Sequence, residues 1–399
     1  MLGGAAVEDI ISQGDDRPPA GWRRRLLVAA AVAAVGTLVV VEHASGGHSG
    51  QRSSPIRLRV EGPAQLPPSG IVGKTASWAL DARLPRAGAH PDWFWPALGR
   101  VAPILGLPSD RFGYVFTRVD GGWAIQPRAG CGDCTGPLTP VFYLADRAQR
   151  AIMVGSASVV APAAVKGHMW LTTYPPRLAS DLDRTPGVAQ QFNGSGGKIG
   201  GPVTLPTGYG ITQGTPRGLL LQALRLTGDV SAVRLWNPAT AKVLRRFDGV
   251  VAVNAAAVAY APPCGVTCPV HVFNVISGRE VTIMMRPTDT VTSGVFSPDG
   301  RFLALQVSRG NGEIGDGGAS AIQIEVASAA TGRAVVVPHL FVSGDALAGL
   351  GWPGSRDDLV AEFRFDAAVQ MASWDPVAGG TVAVANIKPA QDPAALVVG

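Results

Sequence analysis

Residues 272–281 read VFNVISGREV: an apolar strand, a polar turn with Asn274 and Gly278, a basic residue, then a second apolar strand. The same order returns as YLADRAQRAI from Tyr143, QFNGSGGKIG from Gln191 and LWNPATAKVL from Leu235. It returns again as VASAATGRAV from Val326 and SWDPVAGGTV from Ser373. The starts are spaced by 48, 44, 37, 54 and 47 residues, a mean of 46. A weaker copy, FWPALGRVAP, begins at Phe94. Asn, Asp and Gly between two apolar runs are turn formers, so each copy predicts a hairpin. Further runs of β-branched and small residues, at 250–260, 292–296 and 302–307, read as strands. The Pro-rich stretch 174–194 reads as an inserted loop with a helical turn around 178–183.

A period near 46 residues has room for about four strands, the unit of a β-propeller blade. Seven such units fit the span 56–399, and six with an irregular N-terminal segment is the alternative. One stretch sharpens this reading. Residues 296–304, FSPDGRFLA, resemble the strand-turn-strand motif of TolB-like and WD40 propellers. Pro298 fixes φ, Asp299 and Gly300 supply the turn, and Phe296 and Leu303 should face the blade core. Trp352-Pro353-Gly354-Ser355-Arg356 followed by Leu359 looks like a degraded copy. Leu235-Trp236-Asn237 and Trp374-Asp375 resemble the strand-end dipeptide of WD40 blades. The resemblance covers residues 115–399 and implies an all-β propeller; it implies no single activity.

Composition agrees. Of 399 residues, 46% are apolar and only 16% charged, with mean hydropathy +0.20, which excludes a disordered or coiled-coil chain. The 51 glycines and 32 prolines call for many short elements. The net charge is +5, yet apart from Arg23-Arg24-Arg25 the arginines are scattered, so nucleic acid is not an expected partner.

Residues 26–41, LLVAAAVAAVGTLVVV, carry no charge and follow those three arginines and Trp22. The expectation is a cytoplasmic tail at 1–25, a transmembrane anchor at 26–41, a Gly/Ser-rich linker at 42–55 and an extracytoplasmic propeller at 56–399. Sixteen residues is short for a span, which snorkelling arginines can offset. A cleaved signal peptide and secretion is the alternative.

The four cysteines form two close pairs, Cys131–Cys134 and Cys264–Cys268, each eight to twelve residues before a repeat copy. An oxidising compartment favours two local disulfides at hairpin tips. A shared zinc would need pairs from distant blades to meet, and a redox motif would need a helix after Cys131. Residues 309–315, RGNGEIG, imitate a dinucleotide loop, but the following stretch 321–326 reads as a strand, so a long hairpin is expected. Glu313 and Asp316 lack the acid spacing of a calcium loop. No nucleophile elbow, zinc-protease helix or phosphate loop is present, and no cofactor or metal is expected. His271 should face away from its neighbours Val270 and Val272. The expected function is a non-catalytic binding module for a protein, peptide or cell-envelope polymer. Its recognition face would lie on the second-to-third-strand hairpins, around Asp133, Thr267 and Glu313. The alternative is a lyase or glycan hydrolase with its site in the central channel.

Overall fold

The computed structural model describes residues 78–81, 92–95, 100–109, 114–127, 138–146, 148–175, 185–224, 232–262, 268–287, 289–309, 321–343, 347–352, 359–365, 368–379, 383–387 and 395–397. Every element among them is a strand. Six sheets are antiparallel meanders of four consecutive strands. The first is β4 (Tyr114–Val119), β5 (Gly122–Pro127), β6 (Thr139–Ala145) and β7 (Ile152–Ala157). The second is β8 (Val159–Pro162), β9 (His168–Thr173), β10 (Val188–Asn193) and β11 (Lys198–Thr204). The third is β12 (Tyr209–Thr215), β13 (Gly218–Ala223), β14 (Val233–Asn237) and β15 (Lys242–Phe247). The fourth is β16 (Val250–Val253), β17 (Ala257–Tyr260), β18 (Val270–Asn274) and β19 (Glu280–Ile283). The fifth is β20 (Thr290–Phe296), β21 (Phe302–Arg309), β22 (Ala321–Ser328) and β23 (Ala334–Ser343). The sixth is β24 (Leu347–Gly351), β25 (Leu359–Phe365), β26 (Ala368–Trp374) and β27 (Ala383–Ile387). A further composite sheet joins the last strand, β28 (Ala395–Val397), to β1 (Trp78–Asp81), β2 (Asp92–Trp95) and β3 (Arg100–Pro103).

The core lies between sheets, not within them. Val119, Ala124 and Val141 of the β4–β7 sheet pack with Met169 and Leu171 of the next. Ala161 and Ala189 meet Ile211 and Trp236 across the following interface. Leu235 and Phe247 meet Val258 and Phe273. Val270 and Ile283 meet Leu303 and Leu305, and Ile324 and Val326 meet Trp352 and Trp374. The second to fifth sheets therefore each bury one face on the sheet before and the other on the sheet after. That is why a middle strand such as β22 is buried from Ile322 to Ala327, while the outer strands β11 and β15 are mostly exposed. The first strands also touch in succession, β4 with β8, β8 with β12, β16 with β20 and β20 with β24. They surround the axis, and the fourth strands form the rim. This is an all-β propeller.

Every repeat copy falls on the same part of a sheet. The segments from Tyr143, Gln191, Leu235, Val272, Val326 and Ser373 are the third strand, its turn and the fourth strand, and the weaker copy from Phe94 falls on β2 and β3. Phe296 and Leu303 are directly paired and share one core cluster, as their motif implies.

Two expectations need correction. Residues 250–260 are not one strand but the β16–β17 hairpin, because the Asn254 side-chain oxygen accepts from the amides of Ala256 and Ala257 and turns the chain. The inserted loop does not reach Gly194: residues 188–193 are β10, paired on both sides. The helical turn expected at 178–183 lies outside the described residues. So do residues 26–41, and among the described residues no helix is long and apolar enough to cross a membrane.

Candidate functional site

Antiparallel order sends the first-to-second and third-to-fourth turns to one face. The second-to-third loops and the sheet-to-sheet links go to the other. The first face is built from connections of two to eight residues. On the second face the second-to-third loops 82–91, 128–138, 174–187, 224–232, 261–269 and 310–320 run to between nine and fourteen residues, with 366–367 the exception, and the sheet-to-sheet links run from one residue, 158, to ten, 104–113.

Local hydrogen bonds define the short-turn face. The side-chain oxygens of Asn193, Asn237, Asn274 and Asp375, at or just past the end of a third strand, each accept from amides two to four residues ahead. Glycine with positive φ closes most of these turns: Gly196, Gly278, Gly332 and Gly379. Ala241 takes that position in the β14–β15 turn with φ +54°. In the β20–β21 turn, buried Ser297 accepts from the amide of Phe302 and donates to Asp299. Burial alone would raise the Asp299 carboxyl, but the bonds from Ser297 and Arg301 outweigh it and hold the group below its ordinary range.

The long-loop face carries the expected recognition residues. The flanking strands place Cys131, Asp133 and Cys134 between β5 and β6, Cys264, Thr267 and Cys268 between β17 and β18, and Glu313 between β21 and β22. All three segments are second-to-third-strand loops. Cys268 is disulfide-bonded. The other three cysteines, Asp133, Thr267 and Glu313 lie outside the described residues. Arg309, expected to open the insertion, instead ends β21 opposite Ala321, so the extra residues are 310–320.

One polar constellation was not read from the sequence. Arg245 on β15 donates to the Tyr260 hydroxyl at 3.0 Å and to Glu280 Oε2, and Tyr260 donates to the same oxygen at 2.8 Å. His271 stacks on Tyr260 and lies 3.3 Å from Glu280 Oε1. It does face away from buried Val270 and Val272. Burial, then the bond to Glu280, raise the Tyr260 phenol. Burial would also raise Glu280, yet the Tyr260 and Arg245 bonds dominate and lower it. Near neutral pH the pair is therefore a neutral phenol beside a carboxylate, with no proton poised to move. The cluster ties the β12–β15 sheet to the β16–β19 sheet. Its signal was the strand register that sets Tyr260 opposite His271 and His271 opposite Thr282. Among the described residues no group of His, Cys, Asp or Glu could hold a metal.

Known proteins add little. No family model matches the chain. No curated protein matches it either. A functionally unknown protein from Desulfotomaculum acetoxidans superposes with TM-score 0.47 at 10% identity, covering 81% of this chain and 99% of that one. A protein from Lactobacillus plantarum gives 0.47 at 8% identity, with 81% and 98% covered. TolB from Acinetobacter baumannii gives 0.38 at 10% identity, with 80% and 65% covered. Likenesses this distant carry no argument about activity.

Proposed function

We propose that this chain is a membrane-anchored, extracytoplasmic propeller that binds a protein, peptide or cell-envelope polymer without transforming it. In this reading residues 26–41 are the anchor. The composite β28-β1-β2-β3 sheet is the seventh blade, and Cys131–Cys134 and Cys264–Cys268 are two disulfides, each stiffening its own second-to-third-strand loop. The observation that carries the proposal is the asymmetry of the faces: loops of nine to fourteen residues gather on one side of a rigid β frame whose other side has short turns. Binding function tends to sit on such loops.

The test replaces residues 310–320 by Asn-Gly, which closes the Arg309–Ala321 pair directly. Capture of a partner from envelope fractions should fall while the thermal melt holds or rises slightly. Capture that survives this change, and also survives loss of both cysteine loops, removes the recognition face from this side.

A further inference from the structure

The short-turn face is not featureless. Over the three consecutive sheets β8–β11, β12–β15 and β16–β19 it presents Lys166, Lys198, Arg217, Lys242 and Arg279, all exposed. None of the five is in an ion pair among the described residues. Their turns, residues 163–167, 194–198, 216–217, 238–242, 254–256 and 275–280, contain one carboxylate, Glu280, and it is committed to Arg245. The patch is continuous across sheets: Gln213 donates to the Ala163 carbonyl, and Arg217 reaches the Val275 carbonyl at 3.5 Å. Two aliphatic tips stand among the cations, Val165 at 52% exposure and Ile276 at 60%. On the other face of the same three sheets, the connecting segments 174–187, 205–208, 224–232, 248–249, 261–269 and 284–289 carry five aspartates and four arginines in the sequence. The cationic character therefore belongs to one side only.

We infer that this face docks on an anionic lipid surface. Charge complementarity supplies the attraction, each cation adding to it when it lies within a Debye length of such a membrane. Val165 and Ile276 fit the headgroup boundary, where an aliphatic tip gains from partial burial. A nucleic-acid surface would call for aromatic side chains to stack on bases, and the exposed large apolar residues described include none. Docked this way, the propeller turns its long loops away from the membrane. The charge argument stands with or without the anchor at 26–41, which would add proximity.

Lysine chemistry provides the test, because the chain has five lysines and three lie on this face. Lys388 is the internal control, since it falls between β27 and β28 on the other face. The full chain is combined with phosphatidylcholine vesicles, with or without phosphatidylglycerol, and pulse-acetylated, and each lysine is read by mass spectrometry. Lys166, Lys198 and Lys242 should react at least about threefold more slowly with the anionic vesicles, and high salt should abolish the difference. Lys388 should not respond. The pair Arg217→Glu and Arg279→Glu should remove the protection without shifting the melt, and Arg217→Gln with Arg279→Gln serves if the reversal misfolds. Replacing residues 310–320 should leave the protection intact, which separates this inference from the recognition role of the other face. Equal acetylation in both vesicle types overturns it. So does protection that survives both arginine pairs, or equal protection by a soluble polyanion without vesicles.

Discussion

The two faces of the propeller obey different rules. On the short-turn face, residues are chosen by the bonds they make within five positions: Asn274 turns the chain after β18, and Ser297 clamps the β20–β21 turn. The long-loop face joins its strands through segments of nine to fourteen residues, such as 261–269 and 310–320. The bonds of the first set recur from sheet to sheet, whereas the lengths of the second set do not. A repeat is therefore visible on one side and diversity on the other.

The largest predicted effect tests how far the short-turn face is structural. Trp352 follows β24 on that face. It is buried, stacks on Phe302 and donates its indole N–H to the Val295 carbonyl in the neighbouring sheet. Trp352→Ala should cost about 3–5 kcal/mol in denaturant unfolding. A cost below about 1 kcal/mol would mean that the turn is as free as the loops.

The next effect probes the root of a long loop. Tyr174 opens residues 174–187 yet is buried, with its hydroxyl donating to the Tyr209 carbonyl at 3.1 Å. Burial pushes its phenol from 10.0 up to about 12. The folded state thus holds this proton more tightly than the unfolded chain. The group's contribution to stability is constant below pH 10 and is lost as pH rises from 10 through about 12. Tyr174→Phe should lower neutral stability by about 1 kcal/mol and flatten that part of the alkaline limb. An unchanged alkaline profile would show that the loop root is not anchored there.

How much was legible follows the same division. The hairpins from Tyr143 to Ser373 announced themselves because their turns need Asn, Asp or Gly at set positions. The placement of both cysteine pairs and of residues 310–320 on second-to-third-strand loops followed from counting strands between the copies. Residues 250–260 misled because Asn254 breaks an otherwise unbroken run of small and β-branched residues with a side-chain bond that no period reveals. The Arg245–Tyr260–His271–Glu280 cluster stayed hidden for a different reason. It joins β15, β17, β18 and β19, and only their mutual register sets the four side chains together.

The smallest effect tests the turn rule itself. Ala241 stands at φ +54° where Gly278, Gly332 and Gly379 stand in the equivalent turns. An alanine in the left-handed region is strained by about 1–2 kcal/mol, and glycine's greater freedom in the unfolded chain cancels part of the gain. Ala241→Gly should therefore raise the melt slightly, by up to about 1 kcal/mol of stability. A lowered melt would mean that these turns are not equivalent.

The claim that one face recognises and the other supports is tested most directly by hydrogen exchange on the chain bound to its captured partner. Amides in peptides spanning 128–138, 261–269 and 310–320 should slow on binding, while those in 194–197, 275–279 and 329–333 keep their free rates. Slowing confined to the second set would contradict the account.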